Sequence, residues 1–236
     1  MDFGFINSRV LVYIVIAVAA YLLGSIPTGY LVARAKGVDI RAVGSGNIGA
    51  ANAFRILGKT AGTLVLLIDA LKGYVACLLG VLIFIYFYSA YHTGLQNTIA
   101  VDTPIADPPM ERFAILAGIC AVLGHNYTCW LGFKGGKGIA TSAGVYFALA
   151  PLAAGIALGT WIIVFALGRY VSVASIAAAV ALPAAVWLTP NSLILRIVTT
   201  ALGLLAIYKH KGNIQRLLNG TERRLGQKSA TPEAIK

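Results

Sequence analysis

Residues 138–168 read GIATSAGVYFALAPLAAGIALGTWIIVFALG, and no charged side chain interrupts them. The stretch is too long for one comfortable membrane span, which needs about 20 apolar residues. Pro151 stands near its middle, and the residue before a proline is pushed away from helical backbone angles. The number of times this stretch crosses a membrane therefore decides the topology of the whole chain.

The composition of the chain is that of a membrane protein. Of its 236 residues, 58% are hydrophobic and 11% are charged, whereas a soluble domain has roughly 25% charged residues. We therefore predict an all-α polytopic membrane protein. The other candidate spans are 10–33, 61–88, 112–131, 171–189 and 193–208.

Charge gives the orientation, because lysine and arginine mark the cytoplasmic ends of spans. Segment 34–59 has five basic residues against one acid, and the tail from Lys209 has seven against two. Lys134 and Lys137 mark a third inner segment, whereas 89–111 contains acids and no lysine or arginine. Residues 137 and 209 are both predicted on the inner side, so the chain between them must cross the membrane an even number of times. Because 171–189 and 193–208 supply two crossings, 138–168 supplies two or none.

Splitting 138–168 at Pro151 predicts a short crossing, about 138–150 and only ~20 Å long, followed by a longer one. The result is seven transmembrane helices with the N-terminus outside and the C-terminus inside. The alternative is five full spans with a re-entrant 138–168. We predict one transmembrane domain, 1–208, with cytoplasmic loops at 34–59, 132–141 and 169–175. A basic tail, 209–236, follows, and its start at 209–216 is predicted to complete an active site.

The first polar motif is GSGNIGAANAFR, residues 44–55. It formally matches the GxGxxG dinucleotide fingerprint, but no β-strand precedes it, so that interpretation is weak. Asn47 is predicted to cap a short helix over 48–57. A helix N-terminus beside arginines is a good anion site. The predicted anion-binding residues here are Arg41, Gly44, Ser45, Gly46, Asn47, Asn52 and Arg55.

The second motif is GFKGGKGIAT, residues 132–141. It fails the Walker A spacing, since Leu131 and Gly138 stand where that loop needs a glycine and a hydroxyl. Its glycines around Lys137, and a helix predicted to begin near Ile139, favour a phosphate nest. Lys134 is interpreted as a surface anchor. The predicted substrate-binding residues here are Gly135, Gly136, Gly138 and Thr141.

Two further polar segments are RYVSVAS, 169–175, and YKHKGNIQR, 208–216. Serines in a span commonly donate hydrogen bonds to carbonyls of their own helix, which is the purely structural interpretation of Ser172 and Ser175. His210 and Asn213 share a face if their helix continues. Within the membrane, Asp69 is expected to pair with Lys72 or Arg55. No metal-ligand spacing and no activated nucleophile is evident.

In this order and spacing, these segments resemble the PlsY family of bacterial inner-membrane acyltransferases. The resemblance also includes GSIPTGYL (24–31), Asp69 with the following LKG, and LGHNYTCW (123–130). It departs at Ala51, where the family commonly has threonine, and at Thr128, where it has proline. The resemblance implies that Ser45, Arg55 and Lys137 hold phosphate. It also implies that Ser175, His210 and Asn213 line the reaction centre, so these six are the predicted catalytic residues.

The implied reaction transfers an acyl group from acyl phosphate to the 1-hydroxyl of glycerol 3-phosphate, without a cofactor or a covalent acyl-enzyme. This is the first step of phospholipid synthesis, and its partners are these two substrates and membrane lipid. Nucleic-acid binding is disfavoured, because no basic stripe with interleaved aromatics occurs. The rival is a transporter of a phosphorylated metabolite or lipid, although no inverted repeat is evident. A purely structural protein would leave the clustered polar residues unexplained.

Overall fold

A computed structural model describes residues 3–96 and 110–226, and every regular element in these two ranges is helical. The ten α-helices of the described ranges are α1 (Phe3–Ser25), α2 (Thr28–Arg34), α3 (Ala50–Leu57), α4 (Lys59–Gln96), α5 (Met110–Asn126), α6 (Ile139–Leu149), α7 (Pro151–Gly168), α8 (Val171–Leu188), α9 (Leu193–Lys209) and α10 (Lys211–Leu218).

The predicted break at Pro151 is confirmed. Helix α6 ends at Leu149, Ala150 has φ −146° and ψ 71°, and Pro151 begins α7. Proline suits this first position, because its missing N–H would have no helical partner there. Helix α6 has 11 residues, so it is ~16 Å long against a hydrocarbon core of ~30 Å. Its full crossing stays a prediction.

Five stretches of the described chain are long and apolar enough to span a membrane, and a sixth is the bent pair α9 and α10. These two helices meet at 51°. The prediction of an all-α membrane protein therefore agrees with the fold, while the count of seven spans and their orientation stay predictions. The predicted outer loop 89–111 begins later than expected, because α4 continues to Gln96. Residues 97–109, with Asp102 and Asp107, and the tail beyond 226 lie outside the described ranges.

Helices α4 and α6 approach closely, with the first half of α6 packed against the N-terminal half of α4. A Cβ on Gly144 would lie 1.8 Å from the carbonyl oxygen of Ala70, and one on Gly73 would lie 2.1 Å from that of Thr141. Small residues at such crossings let helix backbones pack without intervening side chains. This contact places the loop that precedes α6 beside the polar residues of α4.

Candidate active site

The polar segments predicted from sequence meet at one end of the helix bundle. They surround a cavity of about 140 Å³, to which Asn47, Asn52, Gly138 and five of the six predicted catalytic residues contribute. The sixth, His210, does not line it. The five that do are Ser45, Arg55, Lys137, Ser175 and Asn213.

The segment before α3 is shaped by one buried amide. Asn52 Oδ1 accepts a hydrogen bond from the Ser45 N–H at 3.0 Å, and its Nδ2 donates to the Ile40 and Val43 carbonyls at 3.2 and 3.1 Å. Gly44 has a φ of +64°, and a Cβ there would lie 2.3 Å from that same Asn52 oxygen. Although Asn52 lines the cavity, its hydrogen-bonding groups hold this loop and present Ser45.

The expected cap at Asn47 is wrong. Helix α3 begins at Ala50, not at 48, and Gly49 is its N-cap residue. The Asn47 side chain instead accepts from the Gly49 N–H at 2.9 Å, two residues along the loop. This local turn competes with capping, as it commonly does for asparagine. Gly46, with a φ of +69°, is exposed and lies outside the cavity lining.

The two arginines predicted to bind anions differ in position. Arg55 donates to the Arg223 carbonyl at 3.1 Å, while its buried Nε has no hydrogen-bond partner among the described residues. A buried guanidinium N–H without a partner is suited to an anion entering the cavity. Arg41 is exposed, forms a 2.8 Å ion pair with Asp39 and does not line the cavity. The prediction that it binds substrate therefore finds no support in the geometry.

The glycine-rich loop differs from the predicted nest. The Gly135 and Gly136 N–H groups donate to the carbonyls of Asn126 and His125 at 3.2 and 2.9 Å, so they are not free for a phosphate. Glycine is needed at 136 for packing, since a Cβ there would lie 2.0 Å from His125 Nε2.

The donors that remain near Lys137 belong to the first turn of α6, which begins at Ile139 as predicted. The first N–H groups of a helix have no partner within it, and the helix dipole adds positive charge at that end. Gly138 is the N-cap residue and lines the cavity. Thr141 is fully buried and does not line it, so its predicted contact with substrate is not supported.

Lys137 is the central cation of the site. Its Nζ donates to Asn213 Oδ1 on α10. The pKa of Lys137 is lowered to about 8, chiefly by burial; the charge of Glu222 opposes this shift, and the charges of Arg216 and Arg55 add to it. A half-buried ammonium among other cations favours an arriving anion, because the anion relieves their mutual repulsion.

Glu222 is the residue that the sequence analysis missed. It accepts from Asn213 Nδ2 at 2.7 Å, from Ser172 Oγ at 2.8 Å and from Arg216 Nε at 2.8 Å. Burial acts to raise the pKa of Glu222, but these hydrogen bonds outweigh it and lower the pKa below its usual value. In the sequence, Glu222 could have been noticed only as an acid within a basic tail, two residues after Asn219-Gly220.

The structural interpretation of the two serines in α8, hydrogen bonds to carbonyls of their own helix, is also wrong. Ser172 donates to Glu222, as above. Ser175 Oγ accepts from Trp161 Nε1 on α7 at 3.2 Å. Both hydroxyls thus contact side chains from other elements, where backbone carbonyls of their own helix were expected.

His210 lies at the bend between α9 and α10. It is buried, and its Nδ1 lies 2.8 Å from the Ala206 carbonyl oxygen, which assigns the ring hydrogen to Nδ1. Its own carbonyl accepts from the Asn213 N–H at 2.8 Å. His210 therefore shapes the turn that presents Asn213, and its neutral Nε2 is left as an acceptor.

A buried polar cluster on α4 and α5 lies below the loop. Asp69 and Lys72 form the expected pair at 2.7 Å, and Lys72 also donates to the Ile26 carbonyl at 2.9 Å. His125 Nδ1 lies 3.7 Å from Asp69. Pairing is what buried charges in a membrane require. No group of three or more His, Cys, Asp or Glu residues in the described ranges is arranged to hold a metal ion.

A second cavity, of about 720 Å³, adjoins the first and shares Ser45, Arg55 and Glu222 with it. Basic residues dominate its lining, and the chain after α10 folds back to close one side, with the Leu225 N–H donating to the Arg169 carbonyl at 2.9 Å. The basic residues of its lining are Arg55, Lys59, Arg169, Arg216, Arg223 and Arg224.

Comparisons with known proteins agree on one family. A family model described as glycerol-3-phosphate acyltransferase matches residues 14–220. Relatives named glycerol-3-phosphate acyltransferase include one from Geobacter sulfurreducens, 43% identical over 89% of this chain and 96% of its own length. Another, from Clostridioides difficile, is 44% identical over 92% of this chain and 97% of its own length.

Two solved structures share the fold. One is PlsY, an integral membrane glycerol 3-phosphate acyltransferase, in its glycerol 3-phosphate form: 38% identity, a TM-score of 0.76, and coverage of 91% of this chain and 96% of that one. The other is its lysophosphatidic acid form, with 37% identity, a TM-score of 0.73, and coverage of 91% and 95%.

Proposed function

The chain belongs to the glycerol-3-phosphate acyltransferase family, and we propose that it transfers a fatty acyl group from acyl phosphate to the 1-hydroxyl of glycerol 3-phosphate. The products are 1-acyl-glycerol 3-phosphate and inorganic phosphate. The observation that supports this most is the convergence of Arg55, Lys137 and the start of α6 on one small cavity beside apolar spans.

Two phosphate-bearing substrates must be brought together against their mutual repulsion. The small cavity suits a polar head group, with Lys137, Arg55 and the free N–H groups of α6 as its cationic and donor groups. The adjoining basic cavity gives room for a second phosphate. We propose that Ser45, Ser175 and Asn213 orient the reacting groups, and that His210 acts by shaping the turn at Asn213.

The chemistry requires no covalent enzyme intermediate, because acyl phosphate is an activated anhydride with a good leaving group. The glycerol hydroxyl oxygen bonds to the acyl carbon, the bond from that carbon to the phosphate oxygen breaks, and the hydroxyl proton leaves with the phosphate as HPO₄²⁻. Correct positioning of two such reactants is worth ~7–11 kcal/mol of the barrier. Positioned cations add electrostatic stabilisation of the charge that develops.

We also propose seven spans with the N-terminus outside, the C-terminus inside and the reaction cavity at the cytoplasmic face of a bacterial inner membrane. The basic residues around the cavity support this, because such residues favour the cytoplasmic side. In a variant whose three native cysteines are replaced by alanine, Lys211→Cys should react with an impermeant maleimide in inverted vesicles. Reaction in intact spheroplasts would instead indicate the opposite orientation, with residue 211 outside.

We further propose that 1–208 is a single transmembrane domain and that the tail contributes to its site beyond the predicted 209–216. Residues as far as Gly226 line the basic cavity. A chain ending after Leu218 would lose Glu222, and with it the acceptor that orients Asn213.

The deciding experiment uses purified protein, acyl phosphate and labelled glycerol 3-phosphate, with no acyl-CoA or acyl carrier protein. Lysophosphatidate should form, and Lys137→Ala should abolish turnover. Lys134→Ala, an exposed lysine of the same loop, is the matched control and should remain active. Near-normal activity of Lys137→Ala would refute the assignment of the site. Uptake of glycerol 3-phosphate into proteoliposomes without product would favour a transporter.

A further inference from the structure

One buried hydroxyl in the reaction cavity is held differently from the threonines of the neighbouring helices. Those threonines donate to the carbonyl four residues earlier: Thr160 to Ile156 at 2.9 Å, Thr199 to Leu195 at 2.6 Å and Thr200 to Arg196 at 2.8 Å. Ser175, which is 3% exposed, has no such bond in the part of the chain that the structure describes. Its contact is the Trp161 indole.

The direction of that contact is unambiguous. An indole nitrogen only donates, whereas a serine hydroxyl has one proton and two lone pairs. Trp161 Nε1–H at 3.2 Å therefore occupies a lone pair of Ser175 Oγ. The Ser175 proton is left for another acceptor, and Ser175 lines the same cavity as Lys137.

Trp161 also marks the place where the cavity meets the lipid-facing side of α7. Its ring stacks on that of Phe165, with centroids 4.9 Å apart and planes at 19°, and Phe165 lines the larger basic cavity. The adjacent Leu158 and Ile162 are 44% and 53% exposed on the apolar face of α7. A lipid phosphate with its head in the cavities and its tail in the bilayer would place its acyl carbonyl at this junction.

We infer that Trp161 is a positioning residue that directs the Ser175 hydroxyl proton towards the acyl carbonyl oxygen. The inference rests on the proposed function. When the glycerol oxygen bonds to the acyl carbon, the carbonyl electron pair moves onto this oxygen, and Ser175 donates a hydrogen bond to it without losing its proton. The pair then returns and the phosphate leaves.

The test is a double-mutant cycle on the full-length protein with acyl phosphate and glycerol 3-phosphate. Ser175→Ala should lower kcat about 100-fold, as loss of one donor to an oxyanion does. Trp161→Phe removes one orienting hydrogen bond, so kcat should fall about 3- to 10-fold, with the KM for glycerol 3-phosphate within about twofold. If Trp161 acts through Ser175, the double variant should be no slower than Ser175→Ala alone.

Thr160→Val, which removes a hydroxyl on the same helix, is the control and should leave kcat unchanged. If Trp161→Phe does not fold, site-specific β-(3-benzothienyl)alanine at position 161 keeps the ring shape and replaces N–H by sulfur, and the same loss of kcat is expected. An unchanged kcat in either variant, or multiplicative effects in the double variant, would overturn the inference. An inactive wild-type protein would instead refute the proposed function itself.

Discussion

Adding one methyl group at Gly136 should disable the site while the helices remain folded. The Cβ of Gly136→Ala would lie 2.0, 2.7 and 2.9 Å from three atoms of the His125 ring. Ordinary contact begins near 3.4 Å, so the ring or the loop must move by about 1.4 Å. The φ of Gly136 is not positive, so the expected effect comes from this contact and not from backbone strain.

Overpacking of this kind costs ~1–3 kcal/mol of stability, and a misplacement of ~1 Å near reacting groups costs ~10²-fold in rate. Because Lys137 directly follows Gly136, a shift of this loop would displace the ammonium group from the cavity. We therefore expect kcat/KM for glycerol 3-phosphate to fall about 100-fold. The assay is steady-state kinetics at saturating acyl phosphate, with thermal unfolding followed in parallel.

Gly155→Ala is the matched control, since an added Cβ there would meet no atom within 4 Å apart from the neighbouring backbone of α7 itself. It should retain wild-type kinetics and be at least as stable. Wild-type kcat/KM in Gly136→Ala would refute the account of the loop, because the predicted contact with His125 would then have no consequence for Lys137.

Three further predictions follow from the charges of the site. Since the pKa of Lys137 is lowered to about 8, chiefly by burial, its positive charge is present below that pH and is lost above it. The kcat/KM of the free enzyme should therefore fall tenfold per unit above about pH 8, and a profile flat to pH 9.5 would contradict this. Glu222→Gln should lower kcat at least tenfold, because one amide cannot accept all three hydrogen bonds that Glu222 accepts; an unchanged kcat would argue against its role. Arg41→Ala should leave the KM for glycerol 3-phosphate within about twofold, since Arg41 is exposed and paired with Asp39, whereas a tenfold rise would restore it to the site.

Local patterns were sufficient for much of the architecture. Apolar length located the helices, and Pro151 placed the break between α6 and α7 because a proline has no N–H to continue a helix. The residue types of the four polar segments indicated an anion site, and the pairing of Asp69 with Lys72 followed from their spacing and the cost of buried charge. These properties depend on neighbours within a few positions along the chain.

The errors lie where a choice of hydrogen-bond partner decides the role. The N–H groups of Gly135 and Gly136 could serve a phosphate or a helix end, and their sequence is the same in both cases. Only the packing of the loop against α5 gives them to His125 and Asn126. Arg41 was assigned to the anion site by proximity in sequence, but its side chain turns to Asp39.

By itself, the sequence determined that this is a helical membrane protein with a basic polar end and a break at Pro151, since apolar length, charge and proline act locally. Tertiary structure alone decided which side chains of the site are hydrogen-bonded to each other. Lys137 meets Asn213 across 76 residues, and Ser172 meets Glu222 across 50. Such contacts depend on how each helix is rotated and how the tail folds back, and a rotation of a few tens of degrees would direct the same side chains to other partners.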